Sequence, residues 1–169
     1  MSLIQSVMKN TPDRHLVEPN ERYEVKVIKA TFGSTKGQEE TDESEGKAQR
    51  PVINVTLAIA DDPLAKPLFE QLYFPIEGDS DFAVQAMGER IKVAFVALNY
   101  NSTQHGDIKE SQWKPGMETI ELPGFKTLRG FIVAGIEEFY KGRNGEMVEL
   151  DQPRNFIKRW VMPEPDKKK

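Results

Sequence analysis

Cysteine is missing from this chain of 169 residues. Its absence excludes disulfides, thiolate metal sites and a cysteine nucleophile, and permits a reducing cytoplasm. Histidine occurs only as His15 and His105, in polar segments far apart. No spaced cluster offers the roughly four N, S or O ligands of a zinc site. No apolar run approaches the roughly 20 residues that cross a bilayer, so no membrane is expected as a partner. "MSLIQSVMKNTPDR" has no long apolar h-region and no clear cleavage site, so no secretion signal is expected. GxSxG, HExxH and a Walker-type GxxxxGK motif are absent, and "GSTKG" is too short for a phosphate loop. "TDESE" and "DSD" are carboxylate-rich, but read better as a solvated loop and a helix start than as Mg²⁺ sites. The sequence therefore predicts no enzyme, no catalytic residue, no metal and no cofactor.

What is present is a globular composition, 38% apolar and 30% charged, at a length that suits one domain. The formal net charge of -4 argues against nucleic acid until its distribution is followed. Residues 22 to 32 set Arg22, Lys26 and Lys29 against Glu24, a local +2. Residues 126 to 160 hold seven basic and five acidic side chains, again +2. Residues 61 to 90 hold seven acidic and two basic, a local -5, and residues 33 to 49 five acidic and two basic, a local -3. The strand-like segments are basic, and the acid lies in a loop and in the middle of the chain.

Residues 1 to 21 are polar and broken by Pro12 and Pro19, which predicts an irregular arm. In "RYEVKVIKATF", residues 22 to 32, Tyr23, Val25 and Val27 alternate with polar neighbours, and after Ile28 the phase slips to Ala30 and Phe32. Such a slip within a strand predicts a bulge or strong coiling. Residues 33 to 49 lack apolar periodicity and predict a flexible acidic loop. "RPVINVTLAIA" and "LFEQLYF" predict a second strand over 50 to 60 and a third over 68 to 74. Over 79 to 100 the period becomes helical, with Val84, Met87, Ile91, Ala94, Phe95 and Leu98 on one face and Asp79, Ser80 or Asp81 as cap. Residues 101 to 121 read as loop. A fourth strand follows over about 128 to 140, and Asn144-Gly145 is favoured hairpin chemistry. A fifth strand over 146 to 151 breaks at Pro153 and resumes towards Trp160, and residues 161 to 169 predict a disordered tail. The fold class expected is mainly β (α+β). Five strands with one helix between the third and fourth is the element order of an OB-fold, a small partly open Greek-key barrel, here over residues 22 to 160.

Basic and aromatic residues interleave in these strands. Single-strand binders combine cations for the backbone with flat rings on which bases stack, at about 1–3 kcal/mol per base. Residues two apart share a strand face. Arg129 and Phe131 therefore share one face of the fourth strand, and Phe156, Lys158 and Trp160 one face of the last. With Lys26 and Lys29 from the first strand, Tyr73 from the third and Arg154 beside the last, they are the expected nucleic-acid-binding residues. The bland reading of any one ring is that it fills the barrel; it is the set, with its cations, that points to binding.

The matching stretches "RYEVKVIKATF", "RPVINVTLAIA", "ERIKVAFVAL", "LPGFKTLRGFIVAGIEEFYKGRNGEMVEL" and "NFIKRW" cover most of residues 22 to 160. Their layout resembles phage-encoded single-stranded DNA-binding proteins with a single OB-fold. The resemblance rests on fold punctuation, a leucine and glycine before the fourth strand and a glycine turn before the fifth. It implies sequence-independent binding of single-stranded DNA, alongside replication or recombination proteins, in the host cytoplasm. The ending "PEPDKKK" departs from the acidic, apolar-tipped tails of better-known cellular binders, so tail-mediated recruitment is not implied. Two other readings stay open: a protein-interaction or structural module on the same barrel, and a metal-dependent nuclease using the acidic clusters.

Overall fold

The computed structural model describes residues 2–36, 48–142 and 145–163. The long strands are β1 (Arg22–Ser34), β2 (Pro51–Ile59), β3 (Leu68–Tyr73), β5 (Arg129–Lys141) and β6 (Met147–Val161), with a two-residue β4 (Ile120–Glu121). Among the described residues three α-helices accompany them: α1 (Leu3–Asn10), α2 (Asp81–Ala97) and α3 (Ser102–His105). The ladder runs β3-β2-β1-β5-β6, every pairing antiparallel, with β4 attached to β1.

The protein is mainly β, as its alternating patterns require; in place of the expected partly open five-stranded barrel, the hydrogen bonds form an open antiparallel sheet. Among the described residues no ladder joins β3 to β6, and the sheet is open with six strands. A groove of about 520 Å³ separates the two edges, lined by Glu70 of β3, by Ala86, Glu89, Arg90 and Val93 of α2, and by Ile157 to Trp160 of β6. Glu70 is buried to 6% exposure on the inner face, and Arg90 of α2 donates to its Oε1 through Nε at 2.9 Å and Nη2 at 2.5 Å. α2 thus bridges the gap that backbone pairing leaves.

The inner faces supply the core. Val25, Val27, Ala30 and Phe32 of β1 meet Ile53, Val55, Leu57 and Ile59 of β2, Leu68 and Leu72 of β3, and Ile132 and Ala134 of β5. The phase slip read after Ile28 is real: Val27 pairs with Leu57, Lys29 with Thr56, and Ile28 is left over at 43% exposure. One extra residue restores Ala30 and Phe32 to the core. α2 closes the open end of the core with Ala94, Leu98 and the partly buried Ile91 and Phe95. Of its expected apolar face, Val84 is exposed. Its cap is Ser80, whose Oγ accepts from Ala83 N–H at 3.2 Å.

Several boundaries move. The arm expected to be irregular starts with α1, held by a capping box between Ser2 and Gln5. β1 takes in Gly33 and Ser34, and residues 37 to 47 of the acidic loop lie outside the described residues. Residues 101 to 121, read as loop, include α3, a 3-10 turn at Glu110–Gln112 and β4. Asn144 and most of the tail, residues 164 to 169, also lie outside the described residues, while Gly145 sits at φ +82°. β6 passes Pro153 without ending: Phe139 pairs with Glu149 and Glu137 with Arg154, so Pro153 lies in an irregular stretch where no ladder N–H is demanded.

Arg50 pins β2 to the entry of α2. Its Nη1 and Nη2 donate to Asp79 Oδ2 and Oδ1 at 2.9 and 3.1 Å, and Ile76 N–H donates to Oδ2 at 2.8 Å. The Arg50 hydrogen bonds first, and the Ile76 amide second, hold the Asp79 carboxyl below the usual carboxylate range. A carboxyl lowered in the folded state adds stability that is complete above its unfolded value of about 4 and is lost as pH falls through its lower folded value. Asp79→Asn should therefore melt earlier at neutral pH, yet lose less stability than wild type on acidification below about pH 4. Thermal melts across that range check it; parallel pH curves for the two proteins would count against the assignment.

Candidate nucleic-acid interface

The ladder register lays the outward side chains in rows across the sheet, about 6.6 Å apart along each strand. Arg22 stands opposite Val133, and Val133 opposite Arg159. Glu24 stands opposite Phe131, and Phe131 opposite Val161. Lys26 lies between Ala58 and Arg129. Lys29 stands opposite Thr56, and Thr56 opposite Phe69. Thr31 faces Asn54 and then Gln71, and Gly33 faces Val52 and then Tyr73. Five cations, Arg22, Lys26, Lys29, Arg129 and Arg159, thus share a face with three rings, Phe69, Tyr73 and Phe131.

Glu24, and Glu121 of β4 opposite Thr31, are the carboxylates within those rows, and Arg129 Nη1 approaches Glu24 Oε1 at 3.7 Å. Arg129 stays 64% exposed, so this weak pair leaves it open to another anion. The Arg22 guanidinium sits 4.3 Å above the Phe131 ring centroid, a cation–π contact. Phe131 is itself 38% exposed. Tyr73 donates its hydroxyl to Gln71 Oε1 at 2.6 Å, which fixes the ring's outer edge.

Lys26, Lys29, Tyr73, Arg129 and Phe131, all expected from the sequence, are brought onto this one face. Phe156 and Arg154 lie on the same side of the sheet but farther along the β5–β6 arm, opposite Gly135 and Glu137. The Phe156 ring covers Gly135 so closely that a Cβ there would come within 2.5 Å of it. Arg154 is engaged by Glu137 through Nε. Lys158 and Trp160 do not share the face of Phe156. Arg159 pairs with Val133 and Ile157 with Ala134, so Lys158 is the extra residue of a bulge. Its Nζ donates to Asn20 Oδ1 at 2.7 Å, while the phase reversal turns Trp160 inward against the core.

The residue the sequence reading missed is Phe69. It is 69% exposed, at the sheet edge beside Thr56 and Lys29. Its signal was the alternation Phe69, Gln71, Tyr73 opposite Leu68, Glu70, Leu72. A phenylalanine outside and a glutamate inside invert the usual pattern. Arg22 and Arg159 were visible as cations, but their common row with Val133 needed the register.

Among the described residues no group of three or more His, Asp or Glu side chains could hold a metal ion. No helix among them is long and apolar enough to cross a membrane. Comparison with protein-family models, with curated proteins and with solved structures finds no match to this chain.

Proposed function

We propose that this chain is a non-enzymatic, sequence-independent single-stranded DNA-binding protein, an OB-type barrel left open between its edge strands, that takes the strand across the outer sheet face. The observation that carries the reading is the register that gathers five cations and three rings on one face of a chain whose net charge is -4. The cations neutralise phosphates, and the rings offer platforms that any base can stack on. Bases in a duplex are already stacked and paired, so the face favours a single strand. The strand order, with α2 between β3 and β5, supports the barrel class. A part in protecting or organising DNA during phage replication or recombination, in the host cytoplasm and beside the proteins of those processes, rests on the resemblance of the sequence alone.

The test is fluorescence anisotropy of a labelled oligo-dT of about 30 nucleotides, long enough for one or more sites of this class, titrated at rising salt against duplex competitor. Affinity should fall with a log–log slope of about -0.7 per phosphate contacted, reaching about -3.5 if all five cations engage. Binding that hardly responds to salt, or that duplex competes away on equal terms, would sink the proposal.

A second reading, a module that binds protein, is favoured by one observation: apolar side chains of α1 lie wholly outside the core.

A further inference from the structure

Within the outer face one row differs from its neighbours. Thr31 faces Asn54 and Asn54 faces Gln71, with Glu121 beyond Thr31 at the far end. The row holds hydroxyl, amide and carboxylate groups but no cation, and its carboxylate repels phosphate. Its end on β3 lies between two of the rings: Phe69 and Tyr73 flank Gln71, each about 6.6 Å from it along the strand. A base stacked on either ring would bring its edge over this end of the row.

Gln71 is exposed, yet its amide has a fixed orientation. Tyr73 Oη lies 2.6 Å from Gln71 Oε1. That separation suits O–H···O, usually about 2.7–2.8 Å, better than N–H···O at about 2.9–3.0 Å, so the hydroxyl donates and the amide oxygen accepts. Oxygen and nitrogen point in different directions from the amide carbon. With Oε1 turned to Tyr73, Nε2 and its two hydrogens are turned away from it. Phe69 stands on the other side of Gln71, and at 69% exposure it is the most open ring of the face. A base stacked on Phe69 therefore meets amide donors, while the amide acceptor is engaged behind them.

The four bases answer such a donor differently. Thymine, cytosine and guanine each carry a carbonyl oxygen that accepts from Nε2. Adenine has none. On the edges away from the sugar its acceptors N1 and N7 both lie beside the N6 amino group, and a paired contact there needs an amide that donates and accepts together. With Oε1 held by Tyr73, adenine's amino hydrogens face amide hydrogens instead.

We infer that the Tyr73–Gln71 pair gives this face a base preference: a carbonyl-bearing base such as thymine is favoured beside Phe69, and adenine is disfavoured. The inference rests on the single-strand reading above and refines it. The cations and rings accept any sequence, and one position among them discriminates. Tyr73 acts there as a positioning residue, through Gln71.

The experiment is competition of unlabelled oligo-dT and oligo-dA against labelled oligo-dT in the anisotropy assay, with wild type, Tyr73→Phe and Gln71→Ala. Oligo-dA also resists binding through its own base stacking, equally for every protein, so the readout is the change in the dT-to-dA affinity ratio. Tyr73→Phe keeps the ring and loses only the hydroxyl. It should lower the ratio about two- to tenfold, the worth of one net hydrogen bond. Gln71→Ala should lower it by a similar factor, and the double variant no further, because the two side chains act as one unit. Thermal melts should match wild type, since neither side chain belongs to the core. A ratio that neither substitution moves overturns the inference, as does a ratio moved by only one of them. Failure to bind either oligomer is a failure of the single-strand reading itself, and takes this inference with it.

Discussion

Alanine at Phe69, and separately at Phe131, should each weaken binding to oligo-dT about 5- to 150-fold. Base–aromatic stacking contributes about 1–3 kcal/mol per base, and 1.4 kcal/mol is tenfold in affinity. Both rings are exposed on the outer sheet face, so the loss should come without a matching loss of thermal stability. Phe131 has the richer outcome. Arg22 now covers its ring at 4.3 Å, and a stacking base must displace that guanidinium, which then sits one row away among the phosphates. Arg22→Ala should accordingly lower the salt slope by about 0.7 while costing less affinity than Lys29→Ala, since it also uncovers the ring. Phe82→Ala is the control: this side chain is 84% exposed on α2, a helix packed against the core side of the sheet, and affinity should not change. Equal losses for Phe69, Phe131 and Phe82 would mean that the outer face is not the interface.

Asn155→Ala should be the most destabilising alanine substitution outside the apolar core. Asn155 is 9% exposed on β6; two of its three hydrogen bonds hold Val17 of the arm and the third reaches Gly135 of β5. Its Oδ1 accepts from Val17 N–H at 2.8 Å, and its Nδ2 donates to Val17 O at 3.0 Å and to Gly135 O at 3.1 Å. Alanine leaves three backbone groups without partners, at about 1–3 kcal/mol for each that stays buried. Since the freed arm can admit water, a total of about 3 kcal/mol is expected, or a fall in Tm of about 6–12 °C for a chain of this size. Asn155→Asp keeps the acceptor for Val17 N–H but sets a carboxylate oxygen against the carbonyls of Val17 and Gly135 in place of both donors, so it should melt no higher than Asn155→Ala. If Asn155→Ala melts with wild type, the arm is not clamped by this residue. The prediction also bears on Lys158, whose Nζ is spent on Asn20 of the same arm and is released only when the arm lets go.

The elements of this fold follow from local rules that the sequence carries by itself. Alternation fixes β1, β2 and β5, because a sheet with one dry face demands apolar residues every second position. The slip after Ile28 marks where the strand must depart from regular alternation, and the register makes it a bulge that returns Ala30 and Phe32 to the core. A helical period and a capping serine fix α2. Lys26, Lys29, Arg129 and Phe131 come onto one face for the same reason: each lies in β1 or β5, where the phase can be read from its neighbours.

Local patterns stop being informative where tertiary contacts invert them. In β3, Glu70 lies inside and Phe69 outside because Arg90, twenty positions away on α2, satisfies the buried carboxylate; nothing within "LFEQLY" announces that partner. In β6, the irregular stretch at Pro153 and the bulge at Lys158 each shift the phase, and the second sends Trp160 to the core and leaves Phe156 outside. A one-residue shift exchanges the two faces of a strand at no local cost, so only the ladder with β5 decides which ring meets solvent. The open edge between β3 and β6 is of the same kind: strand propensity makes the edges, but whether they pair depends on how α2 packs between them. Sequence alone determined which segments are strands and that cations and rings are interleaved in them; the tertiary structure decided which of those side chains stand together, because facing is a property of register rather than of composition.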